Sequence, residues 1–206
     1  MELRLENEND YFEVESLTRD AFWNVYRPGC NEHLVLHDLR NSDSFIKELD
    51  YVCLENNQIV GNIVYSKMYS GLGKNMSSEV IAFGPISVHP DYQKTGIGKK
   101  MIKYTANIAK EMGFKAILIT GNNKYYNPLG FVSASKHNIY LPGLSEQEEA
   151  SFFMAKELEE GYLIKNSGVY DFDRCFEVEE DALETFEKKF PAKVKREARK
   201  TDLVLK

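Results

Sequence analysis

Hydrophobic and polar positions follow two different periods along the first 140 residues. Alternating or continuous apolar runs, which are typical of β-strands, lie at residues 1–6, 51–54, 59–69, 79–88, 116–120 and from 130 onward. Apolar positions three or four residues apart, which are typical of helices, lie at residues 10–27, 32–40, 96–112 and 124–129. This order of elements predicts a mixed α/β core.

Three details refine the predicted strands. Residues 55–58 separate two apolar runs and predict a hairpin turn, while Gly71–Asn75 predicts a loop. Gly84-Pro85 interrupts the strand at 79–88, and proline cannot donate a ladder hydrogen bond, so a bulge is predicted there. The run at 116–120 is apolar at nearly every position, which indicates burial on both faces and parallel pairing with the preceding strand.

Beyond residue 140 the pattern predicts a helix over 145–158, a strand or hairpin over 161–172 and a helix over 179–190. We expect residues 1–140 to form the core and residues 141–206 to form an extension packed on it. The charged run from Lys188 to Lys200 is typical of a solvated surface rather than a binding site.

Charge narrows the classes of partner. The 206-residue chain has a formal net charge of −6 and a pI near 5.4. Such a balance argues against a general binder of nucleic acid or of anionic membranes, because either needs a basic surface. The first six residues alternate and lack the apolar run of a signal peptide or membrane span, so a cytoplasmic protein is expected.

Cysteine and histidine spacing gives no metal or disulfide pattern. The three cysteines are odd in number and widely spaced, which predicts buried free thiols at Cys30, Cys53 and Cys175. His33 and His37 lie four residues apart on a predicted helix, but no third ligand at suitable spacing supports a metal site.

The candidate chemistry lies at residues 93–98, Gln-Lys-Thr-Gly-Ile-Gly, between the strand ending at Val88 and the following helix. Gly96 and Gly98 can adopt backbone angles closed to other residues, which lets successive N–H groups converge on an anion at a helix start. Three lysines add cations nearby: Lys94, Lys99 and Lys100. Many such turns use glycine only for tight geometry, so the turn alone leaves a phosphate cradle and an ordinary turn equally open. A dinucleotide fingerprint fits less well, since its third glycine would fall at Met101.

Three segments in order resemble the GNAT family of N-acetyltransferases: the interrupted strand, the segment from Val88 to Gly98, and residues 126–131, Tyr-Asn-Pro-Leu-Gly-Phe. The second resembles that family's Gln/Arg-x-x-Gly-x-Gly/Ala signature, and the third its Tyr-x-x-x-Gly-Phe segment. Residues 84–90 and the pair Tyr125-Tyr126 resemble, more narrowly, the predicted acetyltransferases of the YhbS-like branch. The resemblance covers about residues 1–135. It implies an acyl-CoA N-acyltransferase fold, in which a mixed central sheet flanked by helices splays into a V-shaped cleft.

The resemblance also implies acetyl-CoA as co-substrate, without a metal. Backbone groups of Ile86, Ser87 and Val88 would hold the pantetheine amides in the manner of an added strand. The pyrophosphate would be held by the N–H groups of Gln93, Lys94, Thr95, Gly96, Ile97, Gly98 and Lys99. Asn123 would hold the cofactor or the tyrosine, or would only form a turn with Asn122.

For the reaction, the resemblance implies direct attack of an amine on the thioester within a ternary complex. Tyr126 matches the motif position and would protonate the leaving thiolate, whose intrinsic pKa is about that of cysteine, near 8.5. Its alternative role is packing against the sheet. Glu79, near the start of the interrupted strand, is the candidate base, and its alternative is a surface glutamate at a strand end.

The acceptor implied by the resemblance is the primary amine of a small molecule, without nucleic-acid or membrane partners. The oligomeric state is open, a homodimer included. Candidates for the rim of the acceptor site are Tyr26, Glu32, His33 and His37. Two alternatives stay open: a non-catalytic acyl-CoA-binding regulatory module, and an acetyltransferase of protein N-termini or lysines.

Overall fold

The structure is a computed structural model that describes residues 1–71, 75–144 and 150–198. The α-helices of this part of the chain are α1 (Tyr11–Phe22), α2 (Glu32–Leu39), α3 (Ile97–Glu111), α4 (Asn123–Tyr126), α5 (Tyr162–Lys165) and α6 (Glu180–Glu187). Its strands are β1 (Glu2–Leu5), β2 (Tyr51–Glu55), β3 (Gln58–Ser70), β4 (Asn75–Val88), β5 (Ala116–Thr120), β6 (Val132–Ser133), β7 (Ile139–Tyr140), β8 (Phe153–Glu157) and β9 (Gly168–Asp171).

The strands form a mixed sheet in the order β1-β2-β3-β4-β5-β8-β6. Neighbours along this path are antiparallel except β4 and β5, which are parallel as predicted. The end of β3 also pairs with β9, which pairs with β7. The prediction of a mixed α/β core is therefore confirmed.

Helices pack on both faces of this sheet. Cys53 and Ile63 lie in the same core cluster as the apolar side of α3. Val52 and Val64, their neighbours in the chain, pack with residues of α1 and α2 instead. Because consecutive side chains of a strand point to opposite faces, α3 lies on one face of the sheet and α1 and α2 lie on the other.

The sheet opens between β4 and β5. Their pairing is confined to three residues of each strand, beginning with Val80 opposite Ala116 and ending with Ala82 opposite Leu118. Just beyond, three steps along β4, from Phe83 to Ile86, match two steps along β3. This extra residue confirms the bulge predicted at Gly84-Pro85. The last residues of β4 and of β5 consequently do not pair with each other.

The predicted helix over 145–158 is wrong where the structure describes it. Residues 153–157 form β8, which pairs antiparallel along all of β5, from Thr120 opposite Phe153 to Ala116 opposite Glu157. A short apolar run fits a helix or a strand equally well, and here the open edge of β5 decides because its backbone groups need partners. Residues 145–149 lie outside the described residues.

Other elements differ in detail. The hairpin turn is made by Asn56 and Asn57, both in left-handed conformations. Helix α1 ends at Phe22, earlier than predicted, and the carboxylate of Asp10 does not cap it, because it accepts hydrogen bonds from Arg4 and Asn7. The region predicted as a strand or hairpin over 161–172 contains α5 and β9, and the last predicted helix is confirmed as α6.

The three cysteines are free thiols, with Cys30 and Cys53 buried and Cys175 half-buried. In the charged C-terminal run, residues 191–198 have no regular secondary structure and are mostly exposed, and the remainder lies outside the described residues. None of the helices in the described ranges has the length and apolar character to cross a bilayer.

Candidate active site

A cavity of 880 Å³ occupies the gap where β4 and β5 separate. This volume lies within the range of ligand sites in proteins. The cavity reaches both faces of the sheet, because its lining comes from α1 and α2 on one side and from the start of α3 on the other. Further lining residues lie in the segment between β4 and α3, and at these positions of β4, of the chain at and after the end of β5, and of the C-terminal segment: Phe83, Gly84, Pro85, Ile86, Val88, Thr120, Gly121, Asn122, Tyr125, Tyr126, Phe172 and Phe176.

The turn before α3 presents unused backbone donors. Lys94 and Gly96 adopt left-handed conformations with φ of 64° and 91°, and Gly96 directly precedes α3. Among the hydrogen bonds within the described part of the chain, none is donated by the backbone N–H groups of residues 94–99. Converging free amides at the N-terminus of a long helix fit an anionic group.

The side chains of the turn divide into two groups. Gln93, Lys94 and Lys99 line the cavity, and Nε2 of Gln93 donates to the carbonyl of Val88 at 3.1 Å. Thr95 does not line it, since its hydroxyl donates to the carbonyl of Tyr92 at 2.6 Å. Lysine charge is therefore available from two residues of the turn.

The end of β4 has one free edge. Residues 86–88 pair with residues 61–63 of β3 on one side, and their other side faces the gap. Ile86 and Val88 line the cavity, whereas the hydroxyl of Ser87 points away and lies 3.0 Å from Oγ1 of Thr18. Ser87 can contribute only backbone groups, as the motif resemblance implies.

The backbone of Gly98 does not have the special conformation that was predicted for both glycines of the turn. Gly98 lies inside α3 without a left-handed backbone, so it does not shape the turn. A β-carbon at Gly98 would lie 2.6 Å from the hydroxyl oxygen of Tyr125. Tyr125 thus lies across the start of α3, with Nζ of Lys99 5.7 Å from its ring. Tyr125 also lines the cavity, although it is not among the site residues predicted from the sequence.

Tyr126 lines the cavity. Its ring packs against Phe83 and Phe131, with centroid separations of 5.9 and 5.7 Å. Burial raises the pKa of this phenol above its usual value of 10. The group therefore remains protonated at neutral pH and can donate a proton.

Besides Ser87 and Thr95, two more predicted residues, Glu79 and Asn123, do not line the cavity. Glu79 is exposed at the paired end of β4, where its carbonyl accepts from the N–H of Lys115 and its carboxylate accepts from the hydroxyl of Tyr162 at 3.1 Å. The strand carries it away from the gap, which opens only beyond Ala82. Asn123 is also outside the lining, and the neighbouring Asn122 is in it.

Of the four predicted rim residues, Tyr26 and Glu32 line the cavity. His33 is fully buried with Nε2 2.7 Å from Oε1 of Glu187, and His37 lies beside Glu15. Burial raises the pKa of Glu32, the first residue of α2. Within the described residues, no group of His, Cys, Asp and Glu side chains is arranged to hold a metal ion.

Aromatic side chains surround the α1–α2 side of the cavity. They are Phe22, Trp23, Tyr26, Phe172 and Phe176. Phe176 approaches the bulge of β4, since a β-carbon at Gly84 would lie 3.8 Å from its ring. Phe172 and Phe176 belong to no motif that would predict a place in the site, because they come from the C-terminal segment and reach the cavity only through folding.

The chain matches a family model described as the acetyltransferase (GNAT) family over residues 11–131. None of the curated proteins is a significant match.

Among solved structures, the chain is similar to the Escherichia coli GNAT family N-acetyltransferase YhbS in complex with CoA, with a TM-score of 0.73 and 22% identity over 86% of this chain and 92% of that one. It is similar to a GNAT acetyltransferase from Brucella melitensis in complex with acetyl-CoA, with a TM-score of 0.66 and 22% identity over 85% and 97%. It is also similar to a Staphylococcus aureus acetyltransferase of the GNAT family, with a TM-score of 0.55 and 15% identity over 77% of this chain and 99% of that one.

Proposed function

The chain belongs to the acetyltransferase (GNAT) family, and we propose that it transfers the acetyl group of acetyl-CoA to the primary amine of a small molecule. Acetyl-CoA supplies an acetyl group already activated as a thioester. The observation that carries the proposal is that one cavity joins the free amides before α3, the free edge of β4 and the phenol of Tyr126. These three features suit, in order, a pyrophosphate, a chain of amides and a leaving thiolate.

Residues at the start of α3 bind the anionic end of the co-substrate. The backbone N–H groups of residues 94–99 are unpaired within the described part of the chain, and the ammonium groups of Lys94 and Lys99 lie at the same side of the cavity. Charge-assisted hydrogen bonds to phosphate are shorter and stronger than neutral ones. This combination favours a diphosphate over a neutral ligand.

The free edge of residues 86–88 positions the co-substrate along the gap. Backbone groups on this edge can bond an extended chain as a further strand would. Such a chain, running from the start of α3, can reach Tyr126, which lines the same cavity. Its protonated phenol then donates to the sulfur as the C–S bond breaks.

The cavity also extends to the α1–α2 side of the sheet. A second substrate can approach from that side while the first is bound, which supports direct attack in a ternary complex. A module that only binds acyl-CoA has no need of a cavity that reaches both faces of the sheet.

The proposal is tested by titration calorimetry of the purified protein with acetyl-CoA, followed by release of free thiol in the presence of amines. We expect micromolar binding and thiol release that depends on the amine. Binding without release for any amine would favour the regulatory module, and absence of binding would overturn the proposal.

A further inference from the structure

We propose that the acceptor is a primary amine with an aromatic or branched apolar body, and that Glu32 binds its ammonium group. This inference rests on the proposed function and names the substrate class of that same site.

Opposite charges lie on opposite sides of the cavity. Within the described residues, the cations of the lining are Lys94 and Lys99, both beside the start of α3. The carboxylates are Asp20 on α1 and Glu32 on α2, which pack on the other face of the sheet. This separation suits an anionic co-substrate entering from one face and a cationic acceptor entering from the other.

Of the two carboxylates, Glu32 is the one available to a ligand. Asp20 forms an ion pair with Lys193, so it already has a cationic partner. Glu32 forms no ion pair within the described ranges, and its Oε2 accepts from the N–H of Asn31 at 3.0 Å. The backbone N–H of Glu32 itself also acts on this carboxylate, and no side chain of the described residues donates a hydrogen bond to it.

Three neighbouring groups interact with Glu32. The guanidinium of Arg27 lowers the pKa of this carboxyl, but its ion pair is with Glu180. The charge of Glu32 in turn helps to raise the pKa of the Tyr26 phenol and of the Cys30 thiol, so both stay neutral at pH 7. Glu32 is therefore left without an ion pair of its own, which the ammonium group of a ligand can supply.

Aromatic rings make up much of the surface around this carboxylate. Phe22 and Tyr26 lie 6.1 Å apart at the end of α1, and Phe172 and Phe176 lie 5.3 Å apart on the C-terminal segment. Such rings bury an apolar body and attract a cation to their faces. This chamber, the part of the cavity beside α1 and α2, thus fits a molecule that is apolar except for one ammonium group.

The same surface argues against two common acceptor classes. A polyamine needs a second anionic group, but Asp20 is held by Lys193. An amino acid brings a carboxylate, which needs a cation, but Lys94 and Lys99 lie on the α3 side. Each would leave a charge without a partner in a mainly apolar chamber, which is costly.

Glu32 also has a role in the proton balance. A carboxylate oxygen of Glu32 takes one proton from the ammonium group, and the freed lone pair of nitrogen forms the new C–N bond as the C–S bond breaks. The sulfur takes a proton from Tyr126, and the second proton lost by nitrogen returns to the phenol through water. Burial raises the pKa of Glu32, which makes it a better base near neutral pH.

The test compares thiol release with 2-phenylethylamine, spermidine and glutamate as acceptors. We expect kcat/KM for 2-phenylethylamine to exceed the other two by about tenfold or more, in line with one charged contact and the buried ring. In Glu32→Gln, KM for 2-phenylethylamine should rise about tenfold, and the acid limb of the kcat/KM profile should move to higher pH, toward the pKa of the free amine, with the acetyl-CoA Kd unchanged. Glu32→Asp should recover part of the loss.

Two further variants guard against a merely structural effect. Glu184→Gln changes an exposed glutamate on α6 in the same way and should leave KM and the pH profile unchanged. Tyr26→Ala removes a ring that is 46% exposed, so folding should tolerate it, and it should raise KM for 2-phenylethylamine severalfold.

Preference for spermidine or glutamate, or an unchanged KM in Glu32→Gln, would overturn the inference while leaving the proposed function intact. If acetyl-CoA does not bind, or no amine releases thiol, the proposed function itself fails and this inference fails with it.

Discussion

The ring of Tyr126 lies directly against the backbone of Gly121. A β-carbon at Gly121 would stand 2.5 Å from Cε2 and 3.2 Å from Cδ2 of that ring. Non-bonded carbon atoms do not approach so closely in a packed interior. The absence of a side chain at the end of β5 is therefore what allows the ring of Tyr126 to take this position in the cavity lining.

Gly121→Ala should displace Tyr126 and lower kcat by about tenfold or more, because small misplacements of a reacting group are costly. The Kd for acetyl-CoA should change little, since the amides before α3 are untouched. Both values come from thiol-release kinetics and calorimetry.

The double variant Gly121→Ala/Tyr126→Phe separates this mechanism from general damage. If Gly121→Ala acts through Tyr126, the double variant should be no slower than Tyr126→Phe alone. Full additivity of the two losses would contradict the relationship.

Tyr126→Phe should lower kcat by about 100-fold while leaving acetyl-CoA affinity near that of the wild type, because it removes the proton donor but keeps the ring. Burial raises the pKa of Tyr126 above 10. The acid form therefore persists through the neutral range, and loss of this proton should cause no fall in kcat below about pH 10. A wild-type rate in Tyr126→Phe would return the residue to a packing role.

Gly96→Ala and Gly113→Ala form a matched pair. Both glycines have left-handed backbones, with φ of 91° and 95°, and open space where a β-carbon would lie. Each substitution should cost about 1 kcal/mol of stability. Only Gly96→Ala should weaken acetyl-CoA binding, by about tenfold in calorimetry, because only Gly96 shapes the amides before α3. Equal affinity losses in both variants would contradict the assignment of the cradle.

Stability should depend on pH through His33, which is fully buried. Burial lowers the pKa of His33 from 6.5 to about 4, although the nearby Glu187 opposes the shift. Between these values the unfolded chain binds more protons, so the free energy of unfolding falls as pH decreases from 6.5 to 4, by roughly 3 kcal/mol for this group.

Denaturant unfolding at several pH values checks this. The slope between pH 6.5 and 4 should be smaller in His33→Gln than in the wild type. In His89→Gln, which changes a more exposed histidine, the slope should match the wild type. Equal slopes in all three proteins would show that His33 does not control it.

Much of the core could be read from local patterns. The bulge at Gly84-Pro85 follows from a missing N–H, and the parallel pair β4–β5 follows from the strand-helix-strand order. The position of Tyr126 beside the cavity agrees with a motif that is contiguous in the sequence. By contrast, β8 was predicted as a helix because its apolar run carries no information about the edge it pairs with.

The periods of the strands and helices, the bulge and the left-handed turn at Gly96 follow from the sequence, since each depends on residues that are neighbours in the chain. The packing of distant segments is what makes Gly98 leave room for Tyr125, keeps Glu79 away from the gap, and brings Phe176 and Glu32 to one cavity. These relationships connect segments far apart in sequence. Their geometry depends on how helices pack on the two faces of the sheet, which no local pattern records.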